Sequence, residues 1–357
     1  MEDRKIRVAI THGDTNGIGY EVILKAFEDP MMLELCTPII YGSPKVAAYH
    51  RKALELTTQY NVINNAEEAR DGRLNLLATF DDEVKVEFGQ PTAESEMAAA
   101  KAVARAKEDL QKHLYDVLVM APTKPSATHP KEDKALLVMI CDIIRIGLVT
   151  NHLPIKEVPQ AITVDKIADK GRIFHTSLRR DFRISNPRIA VLALNPQEST
   201  EEQEIIRPAL EKMENEGIQV FGPYQADQFF GDCLYEQFDG VLAMYDDQGI
   251  VPFKTLAHEY GVKLKAGITA ICTTPSHGPA FDIAGKGIAD AQSLRHAVYT
   301  AVDMFRHRIE YDAPLAHPLP KLFHEKREDG EKARFALPRP KDQFKKPAPP
   351  SESEPEA

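Results

Sequence analysis

Seven polar segments in this chain each follow a short apolar run, and their residue types could bind a ligand or move a proton. They are THGDTNGIG (11–19), APTK (121–124), TNHLP (150–154), LNPQ (194–197), GPYQAD (222–227), MYDDQG (244–249) and TTPSHGPAFD (273–282). The first is rich in glycine and opens an amphipathic stretch. Such a turn between strand and helix usually cradles a phosphate or nucleotide through backbone N–H groups. Its glycines fit neither G-x-G-x-x-G nor the phosphate loop, which must end in Gly-Lys-Ser/Thr. Taken singly, each segment is also ordinary turn chemistry. Taken together at one edge of a sheet, they supply what a polar active site needs.

The elements that must position these segments are visible as alternation. Apolar runs at Ile6–Ile10, Thr37–Tyr41, Tyr115–Met120, Arg145–Val149, Arg188–Leu194, Gly217–Phe221, Gly240–Met244 and Ala266–Ile271 are expected strands. Amphipathic stretches at Glu21–Phe27, Lys45–Leu56, Glu94–Lys112 and Ser293–Arg308 are expected helices. Strands alternating with helices predict α/β architecture with largely parallel sheets. Ligands of open α/β sheets sit outside the carboxyl ends of the strands, where the seven segments fall. From Asp312 onward prolines and charges dominate, so residues 312–357 are expected to form a disordered tail.

Bulk composition excludes several classes of function. The chain has 357 residues, enough for two domains, with 43% hydrophobic and 27% charged residues, an ordinary globular balance. A net charge of −10 leaves no basic excess to neutralise nucleic-acid phosphates. Cys36, Cys141, Cys233 and Cys272 lie far apart without a C-x-x-C, which argues against a disulfide framework or structural zinc. No apolar run approaches the ~20 residues of a membrane span, and the first residues are charged. The expectation is a cytoplasmic protein.

In order along the chain, the segments resemble the 4-hydroxythreonine-4-phosphate dehydrogenase family of vitamin B6 biosynthesis. GDTNGIGYE stands where that family has Gly-Asp-x-x-Gly-Ile-Gly-x-Glu, and VTNHLPIKEVP, ALNP, GPYQAD, AMYDDQGIVPFK and HGPAFDIAGKG follow. The resemblance runs from about Ile6 to Arg308. It implies an isocitrate/isopropylmalate dehydrogenase-like fold, with two α/β/α domains around a cleft. The implied first domain is 1–121 plus 265–311, and the second is 122–264 with the metal and substrate loops. It also implies NAD- or NADP-dependent oxidation and decarboxylation of a phosphorylated hydroxy acid. The family's divalent metal (Mg, Mn, Co or Zn) is held by three histidines across a homodimer interface.

Carried over residue by residue, His152 matches the first metal histidine, and Asp246 stands at the position of the third. Asp227 and Asp247 match carboxylates of the site, suited to accept the alcohol proton. Lys254 matches a substrate-binding lysine, and His277, Gly278 and Asp282 match the loop around the adenosine end of the cofactor. The departures cluster at the chemistry. Gln197 replaces the second metal histidine, Lys263 a substrate asparagine, and Cys272 a substrate arginine. The segment between Lys124 and His152 lacks the family's Gly-His-Thr-Glu motif, and His129 does not take its place. Two readings follow: a dehydrogenase with a rearranged site, or a catalytically impaired homologue kept as a ligand-binding or scaffold protein. An acyl-phosphate transferase on the same fold ranks last, for want of any signature.

Overall fold

The computed structural model describes residues 4–80, 84–123, 135–258 and 260–317. Its first strands read as buried parallel strands should, apolar on both faces. β1 (Arg7–Thr11) and β2 (Thr37–Gly42) are followed by the short β3 (Asn61–Ile63) and β4 (Asn75–Ala78). Helices α1 (Gly19–Ala26), α2 (Pro30–Leu35) and α3 (Pro44–Ala53) connect them. Asp29 and Ser43 accept backbone N–H groups at the starts of α2 and α3, with proline at the first helical position, where no donor is needed. Thr92 and Ser95 cap the start of α4 (Ala93–Gln111) reciprocally, and β5 (Val117–Met120) follows.

Beyond it lie β6 (Leu136–Ile140), β7 (Arg145–Leu148), α5 (Val158–Ala161), α6 (Val164–Arg180) and β8 (Arg188–Leu192). The chain continues through α7 (Arg207–Asn215), β9 (Gln219–Tyr224), α8 (Ala226–Gly231), β10 (Gly240–Ala243) and α9 (Asp246–Ala257). It closes with β11 (Val262–Ala266), β12 (Cys272–Pro275) and α10 (Gln292–Ala316).

The twelve strands among the described residues form one sheet, ordered β3-β4-β2-β1-β5-β12-β11-β6-β7-β10-β8-β9. Two parallel blocks flank antiparallel β11 and β6 at its middle. On one face α1, α6, α7 and α10 bury the largest apolar cluster, including Ile10, Val138, Leu264 and Val298. On the other, α4 covers β1 and β2 while α9 covers β7 and β10. Lys263, Lys265 and Thr274, on β11 and β12 between those two helices, are only half-buried. That strip lies between the parts of the face that α4 and α9 cover.

The α/β expectation holds, and six of the eight apolar runs lie within two residues of a strand, while β3, β4, β6, β11 and β12 follow no such run. Ala266–Ile271 is a correction. Gly267 has φ +86 and turns the chain between antiparallel β11 and β12, so that run is a turn where a strand was expected. The last helix also continues past Arg308 to Ala316, and Asp312 pairs with Arg180 of α6. The tail from 318 onward, with Lys124 and His129, lies outside the described residues. Among the described residues no helix is long and apolar enough to cross a membrane.

Candidate active site

The glycine-rich turn after β1 spends its backbone donors internally. Asp14 N–H reaches Pro122 O at 3.3 Å, Asn16 N–H reaches Asp14 Oδ1 at 2.9 Å, and Gly17 N–H reaches Asp14 O at 3.1 Å. Ile18 N–H reaches Pro279 O at 3.1 Å. With those donors used, the turn is no phosphate cradle. It instead clamps the loop after β5 to the one after β12. A Cβ on Gly17 would lie 2.8 Å from Pro279 O, so close backbone approach requires glycine there. Asn16 extends the clamp, donating to Gln90 O at 2.8 Å and accepting from Glu87 N–H at 2.9 Å. Beneath it His12 stacks on Tyr20, ring centroids 5.1 Å apart, and His50 Nε2 meets Thr15 O at 2.8 Å. Burial pushes both imidazoles from the usual 6.5 down to about 4, so both are neutral near pH 7.

The loops after β7, β8 and β10 are tied by polar side chains. Thr150 Oγ1 donates to Met244 O at 2.7 Å. The buried Gln248 accepts from Met244 N–H at 2.7 Å and donates to Ala193 O at 2.5 Å, joining the carboxyl ends of β8 and β10. These bonds bring two expected site residues together. His152, in the left-handed region at φ +54, donates its backbone N–H to Asp246 Oδ2 at 2.5 Å, and Asp246 Oδ1 is buried without a partner. Asp247 and Asp227, in the first turns of α9 and α8, are exposed, and no hydrogen bond ties them to that pair. Lys254 is exposed on α9, and Gly278 and Asp282 are exposed on the loop after β12. His277 Nδ1 bonds Gly278 O at 2.9 Å while its Nε2 is buried without a partner. Burial lowers the His277 imidazole.

The loop carrying Gln197 is closed on itself. Glu202 Oε1 accepts the N–H groups of Leu194 and Asn195, each at 2.9 Å, and Oε2 accepts Ser199 N–H at 2.9 Å and Ser199 Oγ at 2.6 Å. Burial alone would raise this carboxyl, but the bonds from Ser199 and Asn195 outweigh it and hold it at about 2. Gln197 stays exposed at the tip. Among the described residues no group of three His, Cys, Asp or Glu side chains is placed to hold a metal. Asp246 has given one oxygen to His152, so this chain alone does not fit a resident metal. Cys272, at the position of a substrate arginine, is buried in the apolar cluster with Ala9, Tyr115 and Leu118. Sequence reasoning missed Gln248 and Glu202. The signal was their placement: a polar residue inside an apolar helical stretch, and a third acid after a strand end.

Residues 34–301 match the family of the pyridoxal phosphate biosynthetic protein PdxA. The 4-hydroxythreonine-4-phosphate dehydrogenase of Bacteroides thetaiotaomicron is 48% identical, the match covering 94% of this chain and 98% of that one. Its namesake from a Sulfurihydrogenibium species is 32% identical over 85% of this chain and 99% of its own. The crystal structure of the Burkholderia phymatum 4-hydroxythreonine-4-phosphate dehydrogenase superposes with a TM-score of 0.68 at 28% identity, covering 85% of this chain and 99% of that one.

Proposed function

The chain belongs to the family of the pyridoxal phosphate biosynthetic protein PdxA, and from that premise we propose a nicotinamide-dependent dehydrogenase. Its substrate in this reading is 4-hydroxythreonine 4-phosphate or a related phosphorylated hydroxy acid, oxidised and decarboxylated in the cytoplasm. The observation that carries the reading is the locked meeting of the loops after β7, β8 and β10, with Asp246 against the backbone of His152. A bound nicotinamide would supply the hydride acceptor for the secondary alcohol carbon.

The protein's own groups do the rest. Asp247, exposed at the mouth of α9, accepts the alcohol proton, with Asp227 the second carboxylate of the site. Lys254 holds an anionic end of the substrate. His277, Gly278 and Asp282 line the adenosine end of the cofactor. The cleft lies between two lobes, 1–121 with 265–311 and 122–264. A divalent cation enters this proposal only with donors from a second copy in a homodimer, because one chain falls short of three ligands.

The same shortfall favours a second reading, an impaired homologue that binds ligand without turnover. Calorimetric titration of NAD into the purified chain separates the dehydrogenase from a plain scaffold. Saturable heat at or below the millimolar range is expected, the usual range for enzyme ligands. Absence of heat with both NAD and NADP contradicts the dehydrogenase.

A further inference from the structure

β11 reads Val-Lys-Leu-Lys-Ala, and its alternation separates two faces. Val262, Leu264 and Ala266 enter the cluster under α6 and α10. Lys263 and Lys265 therefore point to the opposite face, the half-buried strip of sheet between α4 and α9. Register agrees: Lys263 lies directly opposite Met139 of β6 on one side and Thr274 of β12 on the other. Met139 belongs to the apolar cluster under α9, so the ammonium stems rest on apolar surface.

Neither lysine has an ion-pair or hydrogen-bond partner among the described residues, although both are half-buried. Their Cα atoms are about 7 Å apart at the usual strand rise. Burial is the main influence disfavouring the Lys263 ammonium and the charged His277 imidazole, and the neighbouring charges of Lys254 on Lys263 and of Lys263 on His277 add to it. Asp246 is close enough to favour the Lys263 ammonium, yet makes no ion pair with it. Half-buried cations held together without an ion pair are costly unless an anion completes them. A hydroxyl, Thr274, stands beside Lys263 as a neutral donor.

We propose that Lys263 and Lys265 form an oxyanion-binding site on this strip, with Lys254 at its rim. This inference rests on the dehydrogenase reading, whose substrate carries both a phosphate and a carboxylate. It also accounts for Cys272: the cation lost from β12 stands on the neighbouring strand. Two flexible ammonium groups replace one planar fork, which changes how the anion is held but keeps positive charge on the strip.

The test uses the full chain without nicotinamide. Inorganic phosphate and glycerate, a short hydroxycarboxylate, are titrated separately by calorimetry into the wild type, Lys263→Met, Lys265→Met and Lys263→Arg, with melting curves to verify folding. Each methionine variant should weaken binding by about tenfold or more, the scale of one charge-assisted hydrogen bond, while Lys263→Arg retains it. Binding of phosphate alone assigns the site to the phosphate end, and binding of glycerate alone to the carboxylate end; either supports the site. Equal binding by wild type and folded methionine variants overturns it, as does no binding of either anion to the wild type. Lysine-dependent anion binding in a chain that takes up no NAD would leave this site standing while the dehydrogenase reading fell.

Discussion

Gln248, Glu202, His12 and His50 do their work through hydrogen bonds and burial that a substitution can address singly. Gln248→Leu leaves Met244 N–H and Ala193 O without partners at the ends of β8 and β10. A buried unsatisfied group costs about 1–3 kcal/mol, so the melting temperature should fall and the Asp246 loop should loosen. Glu202→Gln preserves shape but turns an amide toward several N–H donors. A loss on the order of 1–3 kcal/mol at pH 7 is expected, read by denaturant melts.

The buried imidazoles predict acid lability with a definite sign. Their folded values near 4 lie below the unfolded 6.5, so the unfolded chain takes the proton first as pH falls. Stability is therefore full above about 6.5 and declines toward 4. The decline amounts to about 3 kcal/mol per imidazole at ~1.4 kcal/mol per pH unit. Denaturant titrations across that window check it, and His12→Phe, which keeps an aromatic ring against Tyr20 but binds no proton, should flatten the slope. An unchanged slope in that variant would contradict the assignment.

At the scale of elements, the turn after β1 and the α6–α10 seam carry the predictions. A Cβ on Gly19 would stand 2.0 Å from His12 O, whereas Gly231 has nothing within 4 Å of its added Cβ. Gly19→Ala should therefore cost about 1–3 kcal/mol or more, and Gly231→Ala almost nothing, by thermal melting. At the seam Arg308 Nε donates to Asp181 Oδ1 at 2.6 Å, Ser177 Oγ donates to Asp181 Oδ2 at 2.6 Å, and His307 Nδ1 donates to Asp181 O at 2.7 Å. Arg308→Met strands a buried carboxylate and should lose about 3–5 kcal/mol.

These elements also explain what was legible. β1 and β2 were, because a strand buried on both faces is a continuous apolar run. β11 follows none of the apolar runs, because the two lysines of its Val-Lys-Leu-Lys-Ala alternation leave no continuous apolar stretch. β6 went unassigned because its apolar run resembles a buried helix segment as much as a strand.

For the whole molecule, strand order was beyond the sequence. Nothing in Leu136–Ile140 or Val262–Ala266 says that they pair antiparallel between two parallel blocks, since that pairing joins residues over a hundred positions apart. The motif segments after β7, β8 and β10 are tied to one another, as are those after β1, β5 and β12. Motif order could not foretell that Asp246 would spend an oxygen on the backbone of His152, or that Glu202 would seal the Gln197 loop, because both depend on side-chain geometry.

Turnover at that meeting of loops is what makes this molecule a dehydrogenase in the proposed reading. It is tested most directly by incubating the purified full-length chain with 4-hydroxythreonine 4-phosphate and NAD or NADP and following the near-ultraviolet absorbance of reduced nicotinamide. Substrate-dependent reduction is expected, falling at least about a hundredfold in folded Asp247→Asn, the loss typical of a general base. No reduction of either cofactor by the folded protein, with or without added manganese or magnesium, would contradict it.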